Sequence, residues 1–297
     1  MGYRIVACIP AYNEEHTIAK VVLKTMKYVD EVIVCDDGST DMTGEIAERL
    51  GAMVIRHERN RGYGATIVNL FRRARELGAD VMVTLDADGQ HNPDDIPRLV
   101  KPIIDGEADI VIGSRFLDDE SKELVPKYRR VGIKAITSLS KAFSYKELSD
   151  AQSGFRAYSK KAIELLKPTE QGMGVSTEIL VKAKRLNLKV LEVPVKITYD
   201  EHSSTQNPIR HGLEVVLSTI KHYSMDHPLL FYGLPGFSAL LIAVFFWLWT
   251  MQIFTATRQI STNIALVAIG ATIVGLILLT TAVILWVMIS IIKEQLS

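Results

Sequence analysis

Residues 1–200 alternate between short apolar runs and amphipathic stretches. The apolar runs are rich in Val and Ile, as buried strands are, and the stretches between them repeat apolar residues with a helical period. Strands that alternate with helices indicate an α/β domain with a largely parallel sheet. The predicted strands are Ile5–Pro10, Glu31–Cys35, Met53–Arg56, Val81–Leu85 and Ile110–Ile112. The predicted helices lie near 14–28, 42–50, 64–77 and 94–104.

The C-terminal quarter has a different pattern, with only three charged residues after Pro228. Residues 229–252 and 264–292 are almost wholly apolar, and each run exceeds the roughly 20 residues that a helix needs to cross a bilayer. A short linker joins them, so the pattern predicts two antiparallel membrane spans. The alternative is a hairpin in a buried core, which uncharged runs of this length disfavour.

Flanking charges predict the orientation of these spans. Lys221 precedes the first span and Lys293 follows the second, whereas the connecting loop carries only Arg258. The positive-inside rule therefore predicts a multi-pass protein of the cell membrane with a cytoplasmic body and tail. Met1–Arg4 leads directly into a strand, so no N-terminal signal is expected. The expected divisions are a domain over 1–207, a juxtamembrane amphipathic helix over 208–227 and the spans within 228–297.

The amino-acid composition indicates which kinds of binding partner to expect. The formal net charge is zero, so bulk electrostatics do not favour a nucleic-acid partner. The two cysteines, Cys8 and Cys35, lie in strand-like runs without metal-ligand spacing and are expected to be inert packing residues. Gly270 and Gly275 are small enough for helices of two chains to pack there, so a homo-oligomer is considered.

Two further segments, 126–146 and 208–224, combine basic residues or flanks with an apolar face. Basic amphipathic helices of this kind lie among lipid head groups, which makes membrane lipids expected partners. The alternative is that both segments only pack on the sheet.

The segment Asp86–Gln90 follows the predicted strand Val81–Leu85. If the chain stays extended, alternate side chains point the same way, so Asp86, Asp88 and Gln90 would crowd together. Crowded carboxylates raise each other's pKa, and a divalent cation relieves the repulsion. Oxygen ligands suit Mg²⁺ or Mn²⁺, which usually keep positions open for substrate phosphates. The alternative is a polar turn, since Asp and Gly are common in turns.

Clusters of polar residues follow four predicted strands, where parallel sheets bind their ligands. Unrelated turns would scatter their acids, so this recurrence predicts one site. A competing motif, Gly62–Ile67, is similar to a dinucleotide fingerprint but lacks its third glycine and is separated from the preceding strand. The clusters are Pro10–Glu15, Asp36–Asp41, Asp86–Gln90 and Gly113–Arg115.

Together these motifs resemble the family 2 glycosyltransferases, and most of all the dolichyl- or polyprenyl-phosphate hexose synthases. The resemblance extends over roughly 1–225 and implies a GT-A catalytic domain, which is Rossmann-like with a mostly parallel sheet, followed by a two-helix transmembrane hairpin. The motifs that carry it are Ile9–Glu15, Val34–Asp41, Asp86–Gln90, Gly113–Arg115 and Ser153–Arg156.

The resemblance also implies roles for individual residues. Those expected at the nucleotide are Pro10, Tyr12, Glu14, Asp37 near the base, and Asp86. Those expected at the Mg²⁺ or Mn²⁺ ion are Asp86, Asp88 and Gln90. Those expected at the acceptor phosphate are Arg115, Arg129 and Ser153. Those expected in catalysis are Asp88, Arg115, Arg156, Glu178 and His202.

Three of these roles have alternatives. The guanidinium fork suits Arg115 and Arg156 to phosphate, but either could form a surface ion pair instead. Glu178 is expected to orient a sugar hydroxyl, or else to be a carboxylate at a helix N-terminus.

The chain departs from the family pattern at Tyr199–Thr205. Better-known synthases carry an arginine there that clamps the diphosphate, and this chain has none. His202, with Ser203 and Ser204, is the remaining candidate.

The function implied is inverting, metal-dependent transfer of a hexose from a nucleotide sugar, with a UDP-sugar favoured, to dolichyl or polyprenyl phosphate at the cytoplasmic membrane face. One alternative is a GDP-mannose-dependent dolichyl-phosphate mannose synthase. A second is a processive polysaccharide synthase, whose usual Gln-x-x-Arg-Trp motif does not appear in the sequence. A third is a non-catalytic, membrane-anchored protein that binds sugar nucleotides.

Overall fold

The chain folds into two units, Met1–Thr219 and Ile220–Ser297. Several predicted features lie outside the described residues: Arg129, His202 with Ser203 and Ser204, the segment 126–146, and all of the segment 208–227 except Ser224. The structure, a computed structural model, describes residues 2–117, 148–196, 224 and 228–295.

A seven-stranded sheet forms the first unit, in the order β3-β2-β1-β4-β6-β5-β7. Only β6 runs antiparallel to its neighbours, and the other paired strands are parallel. The predicted α/β domain with a largely parallel sheet is therefore confirmed. The strands are β1 Ile5–Ala11, β2 Glu31–Asp36, β3 Met53–Arg56, β4 Val81–Thr84, β5 Ile110–Ser114, β6 Arg156–Ser159 and β7 Val190–Pro194.

The central strands are buried on both faces, which explains their nearly continuous apolar sequences. Successive residues of β1 point to opposite sides of the sheet. Val6 and Cys8 therefore enter one hydrophobic cluster, and Ala7 and Ile9 enter the other. Burial raises the pKa of the Cys35 thiol to about 12. Cys8 and Cys35 are thus buried packing residues, as predicted.

All four predicted helices of this unit are present. The helix expected near 14–28 is shorter than predicted, because Asn13 has a φ of 55° and a turn precedes Ile18. A short 3₁₀ turn, Pro93–Asp95, precedes the fourth helix, and its Asp94 N–H donates to Asn92 Oδ1 at 3.3 Å. The helices are α1 Ile18–Thr25, α2 Thr43–Arg49, α3 Tyr63–Glu76, α4 Ile96–Ile104, α5 Lys160–Leu165 and α6 Val175–Arg185.

The second unit contains two long apolar helices, α7 Leu234–Thr257 and α8 Thr262–Gln295, with a π-helical turn at Leu229–Gly233. Among the described residues, two helical stretches are long and apolar enough to cross a membrane, with mean hydropathies of 2.1 and 2.6. Both predicted helices are therefore present. Their length and apolar composition suggest that the protein associates with a membrane.

The two apolar helices pack against each other at glycines. A Cβ added to Gly236 would lie 3.1 Å from the carbonyl oxygen of Gly275, which is closer than ordinary packing allows. Trp247 Nε1 donates to Thr272 Oγ1 at 3.2 Å across the same pair. Gly275, predicted as a contact between chains, thus serves a contact within the hairpin. At Gly270 an added Cβ would meet nothing within 4 Å among the described residues beyond its own helix.

Candidate active site

The predicted alternation of Asp86, Asp88 and Gln90 along an extended strand is wrong. Strand β4 ends at Thr84, and the chain then turns. Gln90 N–H donates to Asp88 Oδ1 at 3.0 Å, and Gly89 has a φ of 74°. Asp88 therefore caps its own turn, as Asp commonly does. The two aspartates are brought to one place by this turn rather than by strand pleating.

Three carboxylates at the carboxyl edge of the sheet lie near enough to Glu14 for their charges to act on it: Asp41, Asp86 and Asp88. Burial raises the pKa of Glu14, and the charges of Asp88, Asp86 and Asp41 raise it further, while a hydrogen bond from Thr17 opposes them. A cluster of carboxylates with this mutual repulsion favours a bound cation. Such a cation would compensate for it.

The residues present fit Mg²⁺ or Mn²⁺. Asp86, Asp88 and Gln90 supply only oxygen ligands from the protein, as these ions prefer. Within the described residues, no three His, Cys, Asp or Glu side chains already converge as a metal site. An ion held by two carboxylates and an amide keeps positions open for phosphate oxygens, which suits a nucleotide substrate.

The side chain of Asp86 is 33% exposed, but its carboxylate packs closely against the main chain at Gly154. Burial raises its pKa to about 6, although Arg115, a hydrogen bond from Tyr63 and Arg156 all act in the other direction. The main chain leaves space for it only because residue 154 is glycine. A Cβ at Gly154 would lie 2.8 and 2.9 Å from the two carboxylate oxygens of Asp86.

His91 fixes the main chain beside this carboxylate, and the sequence reasoning missed it. The Asp86 N–H donates to His91 Nδ1 at 3.2 Å, and the imidazole stacks on Phe155 with ring centroids 5.1 Å apart. A nitrogen that accepts a hydrogen bond carries no proton, so the ring is neutral here. Burial agrees, since it lowers the pKa of His91 to about 4. Its place directly after Gln90 was the available signal.

Two loops predicted to border the nucleotide are tied to each other. Asn13 N–H donates to Ser39 Oγ at 2.9 Å, and Thr40 N–H donates to Asn13 Oδ1 at the same distance. Pro10 lies buried within β1, whereas the Tyr12 ring is exposed beside these loops. Of the predicted nucleotide residues, Tyr12 thus presents its side chain to solvent at this edge.

Asp37, predicted near the nucleotide base, is buried in the protein. Its buried carboxylate accepts hydrogen bonds from the main-chain N–H groups of Arg61 at 2.9 Å and Gly62 at 2.8 Å. His57 Nδ1 lies 2.6 Å from the same carboxylate, and Asn69 Nδ2 lies 2.6 Å from His57 Nε2. Asp37 therefore holds the loop before α3 in place.

The glycines of Gly62–Ile67 have a packing role rather than a dinucleotide role. Gly62 has a φ of 95°, and a Cβ there would lie 2.8 Å from the carbonyl oxygen of Gln171. The Ala65 N–H donates to that same oxygen at 3.2 Å. The start of α3 thus packs directly on the main chain around Gln171.

Arg115 lies beside the carboxylate cluster, at the end of β5. Its guanidinium donates to both carboxylate oxygens of Asp150, with distances of 2.6 and 2.7 Å. Asp150 is fully buried, and its main-chain N–H donates to Glu192 Oε1 at 2.8 Å. Arg115 therefore forms an ion pair, as the sequence alternative considered, but its partner Asp150 is buried rather than on the surface. The buried carboxylate fixes the direction of the guanidinium.

Arg156 and Ser153, both predicted at a phosphate, have buried side chains. The Arg156 guanidinium is buried and donates to the carbonyl oxygens of Ala151 at 2.7 Å, Ser153 at 2.8 Å and Ser176 at 3.2 Å. Ser153 Oγ accepts from the Phe155 N–H at 3.3 Å. Both residues support the segment around Gly154 from inside the protein.

Glu178, predicted to orient a sugar hydroxyl, is fully buried. Its buried carboxylate accepts from the N–H groups of Thr169 at 3.0 Å and Glu170 at 2.8 Å, and from Lys182 Nζ at 2.7 Å. Burial alone would raise its pKa, but these partners outweigh burial and lower it. Glu178 is thus a structural carboxylate that binds the loop before α6.

The family model described as Glycosyl transferase family 2 matches residues 6–166, which include β1 to β6 and the carboxylate cluster. The chain belongs to glycosyltransferase family 2. This glycosyltransferase is therefore an enzyme of the predicted class, and its GT-A fold with a mostly parallel sheet is confirmed.

This glycosyltransferase is similar to named glycosyltransferases. A UDP-N-acetylglucosamine–dolichyl-phosphate N-acetylglucosaminyltransferase of Methanococcus voltae is 37% identical over 216 residues, which cover 66% of this chain and 86% of the relative. Glycosyltransferase AglJ of Haloferax volcanii is 30% identical over 301 residues, covering 97% of this chain and 94% of the relative.

Among solved structures, the chain is similar to glucosyl-3-phosphoglycerate synthase of Mycobacterium tuberculosis. In its complex with Mn²⁺, UDP and glucosyl-3-phosphoglycerate the TM-score is 0.55 and the identity 25%, covering 74% of this chain and 80% of the synthase. A glycosyltransferase of similar fold therefore binds a divalent cation with a nucleoside diphosphate.

Proposed function

We propose that this glycosyltransferase transfers a hexose from a nucleoside diphosphate sugar to a polyprenyl phosphate, such as dolichyl phosphate, with inversion at the anomeric carbon. The observation that carries the proposal is the placement of Asp86 and Asp88 near Glu14 at the carboxyl edge of the sheet, where burial raises the pKa of Glu14 and their charges raise it further. Carboxylates placed in this way favour a cation, and a cation there suits a diphosphate.

A UDP-sugar is the favoured donor. The Methanococcus voltae relative is named for UDP-N-acetylglucosamine, and the structurally similar synthase binds UDP with Mn²⁺. Exposed Tyr12 and the tied loops around Asn13 and Ser39 form the expected nucleotide border. A GDP-sugar is the alternative, because no described residue identifies the base.

Asp86, Asp88 and Gln90 are the residues that would hold Mg²⁺ or Mn²⁺. When bound, such an ion neutralises the charge that develops on the departing nucleoside diphosphate. The protein contributes the fixed turn, in which Gln90 N–H binds Asp88, and the main-chain clasp between Asp86 and His91. These contacts position the ligands before substrate binds, so little reorganisation is needed during transfer.

The acceptor phosphate oxygen is already anionic at neutral pH, so the reaction needs no strong general base. Arg115 is the described candidate for the acceptor phosphate, since its charge reaches the carboxylate cluster and buried Asp150 fixes its direction. Attack from the face opposite the leaving diphosphate gives inversion. The two apolar helices favour a membrane-bound acceptor, and the flanking lysines favour a cytoplasmic site.

The test is transfer of radiolabel into the lipid phase. Detergent-purified protein is incubated with dolichyl phosphate, Mn²⁺ and UDP- or GDP-sugars in turn. Label from one donor is expected, with loss of label in EDTA and in Asp88→Ala. Asp105→Ala is the matched control, because Asp105 is an exposed aspartate at a helix end that pairs with Lys101. It should retain full activity.

Other outcomes name the alternatives. Label only from GDP-mannose would assign a mannose synthase. Label in water-soluble product when phosphoglycerate replaces the lipid would assign a soluble acceptor, as in the structurally similar synthase. Folded protein that binds nucleotide but releases no sugar to any acceptor or to water would be a binding protein, and the proposal would be wrong.

A further inference from the structure

The hydroxyl of Tyr63 approaches Asp86 from the helix behind it. Tyr63 is the first residue of α3, where Gly62 turns the chain with a φ of 95°. The Gly62 N–H is held by buried Asp37 at 2.8 Å. The tyrosine is thus fixed at its backbone, and its hydroxyl lies beside the Asp86 carboxylate.

Gly154 is where these two groups meet. A Cβ at this position would lie 2.8 and 2.9 Å from the Asp86 oxygens and 3.1 Å from Tyr63 Oη. The Gly154 carbonyl accepts from Thr84 Oγ1 at 2.8 Å, so the glycine cannot move aside without breaking that bond. The hydroxyl and the carboxylate therefore share one rigid recess.

The space behind the recess is too small for Asp86 to turn into. A cavity of about 10 Å³ lies there, lined in part by Tyr63, Gly154, Arg156 and Ser176. This is about the room that one water molecule needs, and a carboxylate group is larger. Arg115 and Arg156 act on the Asp86 carboxylate through their charges, and the Tyr63 hydroxyl is the neutral group beside it in the recess. The hydroxyl therefore limits the orientations that the carboxylate can take.

We propose that Tyr63 is a positioning residue, whose hydroxyl directs the Asp86 carboxylate towards the cation and the nucleoside diphosphate. The inference rests on the proposed function, because it assigns Asp86 to that pair of ligands. The contact depends on a hydroxyl that reaches a carboxylate, so a phenylalanine at the same place removes it and preserves the ring.

The experiment is calorimetric titration of the full-length, detergent-purified protein with UDP, once with Mn²⁺ and once with EDTA, and then with GDP in the same way. Tyr63→Phe should weaken Mn²⁺-dependent binding about tenfold, which is the lower range for a lost hydrogen bond to a charged group. Binding in EDTA should change less than about twofold. A general packing defect would weaken both.

Tyr28→Phe is the matched control. It removes the same kind of bond, from a tyrosine hydroxyl to the Asp94 carboxylate at 2.9 Å, outside the candidate site. Its binding should equal that of the wild type. As a second test, Tyr63→Phe should have almost no effect in an Asp86→Asn background, because the group it positions is already altered.

The failures are distinguishable. If the wild type binds neither UDP nor GDP with Mn²⁺, the proposed function itself is contradicted. If the wild type binds and Tyr63→Phe binds equally well, only the role of Tyr63 is wrong. Equal weakening with Mn²⁺ and with EDTA, or failure of Tyr63→Phe to fold, would assign Tyr63 a structural role and would also overturn the inference.

Discussion

Glu14 and Glu178 are both partly or fully buried, yet the protein surrounds them in opposite ways. Glu178 has Lys182 and two main-chain N–H groups as partners, and its pKa is lowered despite burial. Glu14 has Asp88, Asp86 and Asp41 as neighbours, and its pKa is raised by burial and by their charges. A buried carboxylate whose charge is balanced by N–H donors and a lysine within the protein has a structural role. A carboxylate whose charged neighbours are other carboxylates indicates that a cation from outside the protein binds there.

The largest expected effect comes from breaking the uncompensated cluster. Asp88→Ala should lower sugar transfer about 1,000-fold, equivalent to about 4 kcal/mol of barrier, because it removes a proposed ligand of the cation. The stability of the protein without ligand should change by less than about 1 kcal/mol, since loss of the contact from Gln90 N–H opposes the removal of a repelling charge. Transfer rates and thermal unfolding midpoints measure the two. An active Asp88→Ala protein would contradict this half of the comparison.

The compensated carboxylate should respond in the reverse manner. Glu178→Ala should destabilise the protein by about 2 to 3 kcal/mol, because it leaves buried N–H donors of Thr169 and Glu170 without an acceptor. Chemical denaturation measures this loss. Activity per folded molecule should remain within about threefold of wild type. A loss of activity as large as that of Asp88→Ala would indicate that Glu178 takes part in catalysis.

Bound substrate should stabilise the cluster by mass action. At UDP concentrations near 100 times its dissociation constant with Mn²⁺, the free energy of unfolding should rise by about 2.7 kcal/mol. UDP with EDTA should give a much smaller rise in the thermal midpoint. Equal rises in both conditions would show that the nucleotide binds without using the carboxylates.

The smallest effect concerns the pH dependence of Asp86. Its folded pKa of about 6 lies above the usual aspartate value, so the folded state holds the proton more tightly than the unfolded state. Stability from this group is therefore lost as the pH rises from about 4 to 6. A shift of this size would correspond to about 3 kcal/mol for a fully buried group. Because the Asp86 side chain is 33% exposed, solvent screening reduces the expected stabilisation by Asp86→Asn to about 1 kcal/mol at pH 7.5. The gain should shrink towards zero at pH 4, and an unchanged gain there would contradict the sign.

Local sequence patterns were sufficient for the strands and helices around the site. The run Val81–Thr84 is continuously apolar up to a polar end, and its burial follows directly from that pattern. The turn at Asp88 was not predictable from alternation, because an aspartate that accepts from the main chain two residues later ends the extended geometry.

The orientation of individual charged side chains depended on contacts far along the chain. Asp37 is held by residues 20 to 25 positions later, and Arg156 reaches the carbonyl of Ser176. The spacing of residues within a motif does not predict hydrogen-bond partners that lie so far along the chain. Family resemblance gave Arg115 and Arg156 the same predicted role, and the structure separates Arg115, at the edge of the cluster, from buried Arg156.

The most direct test of the central comparison is nucleotide binding by three proteins: wild type, Asp88→Ala and Glu178→Gln. Each is titrated with UDP, and separately with GDP, in Mn²⁺ and in EDTA. If Asp88 holds the cation and Glu178 is structural, the wild type and Glu178→Gln should both bind one nucleotide in a Mn²⁺-dependent manner. Asp88→Ala should lose this binding. Binding by Asp88→Ala equal to that of the wild type, or binding that is indifferent to Mn²⁺, would contradict this account.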